Sequence, residues 1–190
     1  NVLEMSRLDS KAVSIVRNPT DLRQLAHQWR DTTEGMVHFH GKSINVTLDI
    51  DPGLDARYNL DGARLTQVMT NLTDNAAKFT TSGEIRISVR RAPHSRRDQD
   101  RRSVEICVAD TGEGIDDVQR HFVFERFTQS NAGPARTHGG SGLGLTIARQ
   151  ICELMGADLS LDTTERDGFT TRFLITLGCN IGVEEDEYGS

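Results

Sequence analysis

The chain has 190 residues, enough for about one domain with a sizeable core, and a formal charge of −6. That acidity argues against a general nucleic-acid binder, which needs a basic face. No apolar run approaches the roughly 20 residues of a membrane span, and no signal peptide opens the sequence. Cys107, Cys152 and Cys179 stand too far apart for a metal motif, as expected of reduced thiols in a cytoplasmic protein.

The first residue is not Met, so the chain reads as a piece of a longer protein, whose remainder is free to be membrane-anchored. Residues 1–10, NVLEMSRLDS, carry Val2, Leu3, Met5 and Leu8 on a helical stripe and read as the end of a helix. A short alternating stretch with Val13 and Ile15 follows, broken by Asn18-Pro19. Asp21 with Gln24 forms a capping-box pattern, and Leu22, Leu25, Ala26 and Trp29 continue it as an amphipathic helix to about His40. Apolar and polar residues then alternate at Ile44, Val46, Leu48 and Ile50. The same alternation returns at Ile85, Ile87 and Val89, at Val104, Ile106 and Val108, at Leu159 and Leu161, and at Phe173, Ile175 and Leu177. Strands buried on both faces would give continuous apolar runs instead. The pattern therefore predicts a two-layer α/β sandwich (α+β), with a mixed, mostly antiparallel sheet and about three helices on one face. The other two helices are expected from about Asp61 to Phe79 and from about Gly142 to Met155, where Leu143, Ile147, Ala148, Ile151 and Leu154 face inward and Gly156 ends the run. Residues 92–102 read as a charged hairpin loop, 128–140 as a mobile polar loop, and 179–190 as an acidic tail or linker after a domain spanning 11–178.

Four patterns carry candidate chemistry. In the helix containing NLTDNAAKF, Leu65, Val68, Met69, Leu72, Ala76 and Phe79 form the apolar stripe. Asn71, Asn75 and Lys78 line a strip beside it, although Asn is a poor helix former. Amide oxygens can ligate a hard cation, and a lysine can neutralise an anion next to it. A polar strip satisfied by a neighbouring loop would look the same. In VADTGEGI a strand ends at Asp110, and Gly112 and Gly114 let backbone approach a flat ligand. A single DTG does not make an aspartic protease, whose chemistry needs two carboxylates. FVFERFTQ places Phe122, Phe124 and Phe127 under a lid, with the Arg126 cation near its base. GGSGLGLTIAR leads glycines 139, 140, 142 and 144 into a helix N-terminus suited to phosphate. The polar loop before it, where a strand should be, disfavours a dinucleotide fingerprint. HGKS at 40–43 lacks the glycine that a Walker motif needs at position 36.

The order Asn-xxx-Asn-xx-Lys-Phe, Asp-x-Gly-x-Gly, Phe-Glu-Arg-Phe, Gly-Gly-x-Gly-Leu-Gly-Leu resembles the N, G1, F and G2 boxes of the sensor histidine kinases, in the GHKL superfamily with its Bergerat fold. The resemblance covers roughly residues 11 to 178, and residues 1–10 resemble the end of the dimerisation helix that precedes this domain in the family. It implies ATP and Mg²⁺ as cofactors. Asn75 resembles the Mg²⁺ ligand, with Asn71 beside it and Lys78 on the phosphates. Asp110 resembles the adenine-reading carboxylate, with Gly112, Gly114 and Ile115 on that wall. Arg126 resembles the arginine that meets the terminal phosphate. Gly140, Ser141, Gly142, Leu143, Gly144 and Leu145 resemble the lid hinge and phosphate cradle, and 128–140 the ATP lid. Thr170 matches a threonine near the adenine, although DGFTTRF departs from the family's glycine-Thr-Phe pattern.

Related chaperone, gyrase and mismatch-repair ATPases carry a water-activating Glu where this chain has Asn71. An amide cannot take a proton at neutral pH, so the resemblance implies poor hydrolysis and a γ-phosphoryl group kept for a histidine. The residues expected to act in that transfer are Asn71, Lys78 and Arg126. None of His27, His38, His40, His94, His121 and His138 sits in the family's acceptor context. The expected partners are therefore an upstream dimerisation and phosphoacceptor domain and a response-regulator receiver domain, not a nucleic acid. The parent is expected to be a homodimer and this fragment a monomer that does not label itself. The alternative is a catalytically degenerate nucleotide-binding regulatory module of the same fold.

Overall fold

The structure is a computed structural model that describes residues 13–92, 102–125 and 142–181. The elements in chain order are β1 (Asn18–Thr20), α1 (Leu22–Phe39), β2 (Ser43–Ile50), β3 (Tyr58–Leu60), α2 (Gly62–Phe79), β4 (Ser82–Arg91), β5 (Arg102–Asp110), α3 (Asp117–Phe122), α4 (Gly144–Met155), β6 (Ala157–Asp162) and β7 (Thr171–Ile181). The end of the preceding helix, the 128–140 loop, the centre of the charged hairpin and the tail beyond 181 lie outside the described residues.

The strands form one sheet in the order β1-β3-β7-β5-β4-β2, with β6 also paired to β7. Among the described strands only β2 and β4 run parallel. Side chains two apart along a strand share a face, so the registers stack apolar rows across it. Ile87 lies opposite Val108 and Phe173, and Val89 opposite Ile106 and Ile175. The helices bury complementary stripes on these rows: Leu65, Val68, Met69 and Leu72 from α2, and Ile147, Ala148 and Ile151 from α4. The expected mixed, mostly antiparallel sheet with helices in one layer is what the chain forms.

Helix boundaries follow local chemistry. Asp21 accepts hydrogen bonds from the Arg23 and Gln24 amides, which would otherwise be orphaned at the start of α1. Gly156 closes α4 in the left-handed region, with φ 72°. Asp61 caps α2 by accepting from the Arg64 amide at 2.9 Å, and its other oxygen takes the Val16 amide at 2.9 Å.

Several expectations need correction. Asn18-Pro19 does not break the chain but forms edge strand β1 against β3, where a residue without an N–H is tolerated. Val13 and Ile15 are not in a strand; they pack, half-buried, against the core. β3 was not foreseen, since three residues are too few to show a period. Phe79 and Leu154 fit the apolar periods, yet both are partly exposed, each near the C-terminal end of its helix. The short helix α3 was also unforeseen, and it buries none of its residues. β7 continues through Ile181, three residues past the expected domain boundary, because Asn180 and Ile181 pair with β3.

Asp61 is 7% exposed and holds two segments far apart in sequence. Asp61→Ala removes a cap and strands the Val16 amide, so it is expected to lower stability by about 2–3 kcal/mol in urea unfolding.

Candidate functional site

Continuing the buried parity of β5 from Val104 through Ile106 and Val108 brings Asp110 onto the same face, toward the helices. Its row partners are Ile85 and Thr171. The carboxylate therefore occupies a position where the other rows carry apolar side chains, and it is 5% exposed. Burial pushes its pKa up to about 6, against the opposing pull of the Gly112 amide and the nearby Thr80 hydroxyl. The Gly112 N–H donates to Asp110 Oδ1 at 3.0 Å. The Thr80 hydroxyl is fully buried and makes no hydrogen bond of standard geometry, although it lies close enough to favour the charged carboxylate.

The turn after Asp110 is closely fitted. A Cβ on Gly112 would stand 2.6 Å from the Phe79 carbonyl oxygen and 2.9 Å from Asp110 Oδ1, so only glycine lets this backbone lie against the end of α2. Gly114 has φ +79°. Thr170, the residue with the departing motif, comes to this turn. Its hydroxyl donates to the Gly112 carbonyl at 3.0 Å, and its amide donates to the Asp110 carbonyl at 3.0 Å. Ile115 packs half-buried against the core nearby.

Asn71, Asn75 and Lys78 fall on one side of α2 and all three are half-buried. Asn71 faces the start of α4, where a Cβ on Gly144 would lie 3.5 Å from its Oδ1. Lys78 Nζ contacts Asp74 Oδ2 at 2.5 Å, a partner that spacing alone would suggest at i,i+4 but that the sequence reading missed. α4 begins after Leu143 with no side-chain cap, which leaves its first amides available to an anion. Gly142 takes φ 66° just before it. Leu143 itself is 1% exposed and Leu145 half-buried against the core, so their side chains serve packing. Phe124 stacks edge-on against Phe173 and accepts, through its carbonyl, a hydrogen bond from the Thr146 hydroxyl. Phe122 is largely exposed. Arg126, Phe127, Gly140 and Ser141 lie outside the described residues.

The site thus has two halves meeting at the end of α2: a buried carboxylate with a glycine turn, and an amide-lysine strip facing an uncapped helix start. Among the described residues no three His, Cys, Asp or Glu side chains gather as a metal cage. A cavity of about 320 Å³ lies apart from both halves, between α1 and α2, lined by Trp29, Thr66, Met69 and their neighbours.

Comparison with known proteins gives this two-layer α/β fold its family. The family model for histidine kinase-, DNA gyrase B- and HSP90-like ATPases matches residues 60–179. The chain belongs to that family. Its relatives include the signal transduction histidine-protein kinase BarA of Escherichia coli, 33% identical over 95% of this chain and 19% of that protein. The sensor histidine kinase AruS of Pseudomonas aeruginosa is 41% identical over 71% of this chain and 13% of its own length. The chain therefore spans about a fifth or less of the length of these relatives. Among solved structures, full-length ShkA in complex with AMPPNP superposes with a TM-score of 0.76 at 27% identity, over 96% of this chain and 35% of that one. The mycobacterial sensor histidine kinase MprB gives 0.63 at 27% identity, over 86% of this chain and 99% of that one. The relatives are sensor histidine kinases, as the order of the motifs implied. No helix among the described residues is long and apolar enough to cross a membrane.

The raised pKa of Asp110 has a definite sign. Unfolded, the group ionises near 3.8; folded, it keeps its proton to about 6. Between those values the unfolded state binds fewer protons, so stability falls as pH rises and then levels off. Asp110→Asn, neutral throughout, is expected to match wild type below pH 4 and to exceed it by about 2–3 kcal/mol above pH 6.5 in urea unfolding at a series of pH values.

Proposed function

We propose that this domain binds ATP with Mg²⁺ and delivers the γ-phosphoryl group to a histidine on a helical domain elsewhere in the parent protein. The observation that carries the reading is the buried Asp110 carboxylate beside the glycine turn, one helix end away from the Asn71–Asn75–Lys78 strip. An ionised carboxylate in that position accepts a hydrogen bond from an exocyclic amine such as adenine's, and rejects a keto oxygen. The Thr170 and Gly112 contacts hold the turn in place for a flat ring.

The donor set suits magnesium. Amide oxygens on one helix face, with no carboxylate cage among the described residues, fit a hard ion that takes most of its ligands from phosphate and water. Asn75 would hold it, with Asn71 beside it. When bound, the ion neutralises charge on the phosphates. Lys78 would add its cation to the phosphates after exchanging Asp74, and the free amides at the start of α4 would receive phosphate oxygens. Arg126 and the glycines at 140 and 142 complete the set by their place in the motifs. None of these groups is a base for water, and Asn71 stands where a hydrolase would carry one. Catalysis would rest on positioning and charge neutralisation, the mode suited to phosphoryl transfer. Asp110, Gly112, Gly114, Ile115 and Thr170 form the adenine side of this reading. The parent's partners would be its own dimerisation and phosphoacceptor domain and a receiver domain, with the kinase domain on the cytoplasmic side of any membrane anchor.

Calorimetric titration of ATP with and without Mg²⁺ tests this. Wild type is expected to bind, Asp110→Asn to lose at least about tenfold in affinity, and wild-type affinity to weaken as pH falls through about 6, where the carboxylate takes up its proton. Adding the upstream histidine helix should then give a phosphorylated histidine. A folded wild type that binds no ATP would leave the degenerate regulatory module as the better reading.

A further inference from the structure

Lys42 lies outside every motif that pointed to the nucleotide, yet its ammonium reaches the end of α2. Nζ donates to the Ala77 carbonyl at 2.6 Å, the Lys78 carbonyl at 2.7 Å and the Thr80 carbonyl at 2.8 Å. An ammonium has three hydrogens, so its donor capacity is filled by one target. The target is the negative end of a helix dipole, where the last carbonyls have no partner within the helix. The base of the side chain is equally fixed. Gly41 sits in the left-handed region at φ 63°, the Gly41 amide donates to His38, and the Lys42 amide donates to Val37 at 3.2 Å, closing α1. Lys42 thus fastens the C-terminus of α1 to the C-terminus of α2.

What it fastens matters for the site. The Phe79 carbonyl is the atom against which the Gly112 backbone rests, and Thr80 places its hydroxyl by Asp110. One and two turns back stand Asn75 and Asn71, with Lys78 between them and the helix end. The residues that Lys42 grips, 77 to 80, join the two halves of the site.

We propose that Lys42 is a positioning residue that sets the spacing between the carboxylate wall and the amide-lysine strip, so that one ligand can span both. The proposal rests on the nucleotide reading above. It makes a prediction that a merely stabilising contact does not. Removing the ammonium should harm a ligand that bridges both halves far more than one that occupies a single half.

The test is Lys42→Met, which keeps the stem, measured well below its unfolding temperature. Affinity for ATP with Mg²⁺ is expected to fall by about tenfold or more, the weight of a charge-assisted hydrogen-bond set, while adenosine affinity followed by NMR changes less than about twofold. Lys42→Arg should recover part of the loss. ATP affinity within about twofold of wild type, or an equal loss for ATP and adenosine, overturns the proposal. Should the Met variant fail to fold, Lys42→Gln is judged by the same ratio. Amide exchange separates this idea from the nucleotide reading. If wild type binds neither ligand, that reading falls, and Lys42 is judged on the Thr80 amide alone. Lys42→Met should speed its exchange by about tenfold relative to amides in the middle of α2, and unchanged exchange overturns the positioning role.

Discussion

A carboxylate on the core side of a sheet is the constraint around which this domain is arranged. Asp110 takes the last place on a strand face whose earlier positions, Val104, Ile106 and Val108, are apolar. A charge there is tolerable only with donors close by. The local structure supplies them. The Gly112 amide turns back onto the carboxylate, and Thr80, just past the end of α2, brings its hydroxyl beside it. The glycine is required because the turn must lie against a backbone carbonyl, and a methyl group would not fit between them.

Topology explains why the helix end and the carboxylate meet. α2 lies in the crossover between the parallel strands β2 and β4, so its C-terminus must deliver the chain to the start of β4. β5 runs antiparallel to β4, so the end of β5 lies beside that start, with Ile85 opposite Asp110. Any residue at the end of β5 would therefore face the last turn of α2. The amide strip is on that helix because the same helix already has a fixed orientation from its buried stripe. One element holds the core with one side and presents polar side chains on the next.

Much of this was legible from the chain. Strict alternation marked the long strands, because a sheet covered on one face separates polar from apolar residues at every step. Asp21 and Gly156 marked helix ends through their capping chemistry. What stayed hidden had no local signal. β1 and β3 are three residues each, and they exist only because neighbours offer hydrogen bonds. Phe79 and Leu154 match the helical period yet are partly exposed, both near the C-terminal ends of their helices. Of the site, the motif residues were visible and the supports were not. Thr80 was an ordinary residue after a helix, Asp74 an ordinary charge within one, and Lys42 part of a failed Walker match. The roles of Thr80 and Lys42 come from contacts between segments some thirty or more residues apart, which no periodicity records, whereas the Asp74–Lys78 pair follows from helical spacing.

The last described strand is also the most connected. β7 pairs with β5 along nearly its whole length, with β6 over residues 172–177, and with β3 at its end. During synthesis the amide strip, the carboxylate and the glycine turn all leave the ribosome before β7 does. Until it arrives, β5 has one bare edge, and β3 and β6 have nothing in common to bind. The sheet is therefore completed in a late step rather than by growing outward from its N-terminus, and a chain ending before residue 171 could pair β2, β4 and β5 but would lack the strand that joins them to β3 and β6.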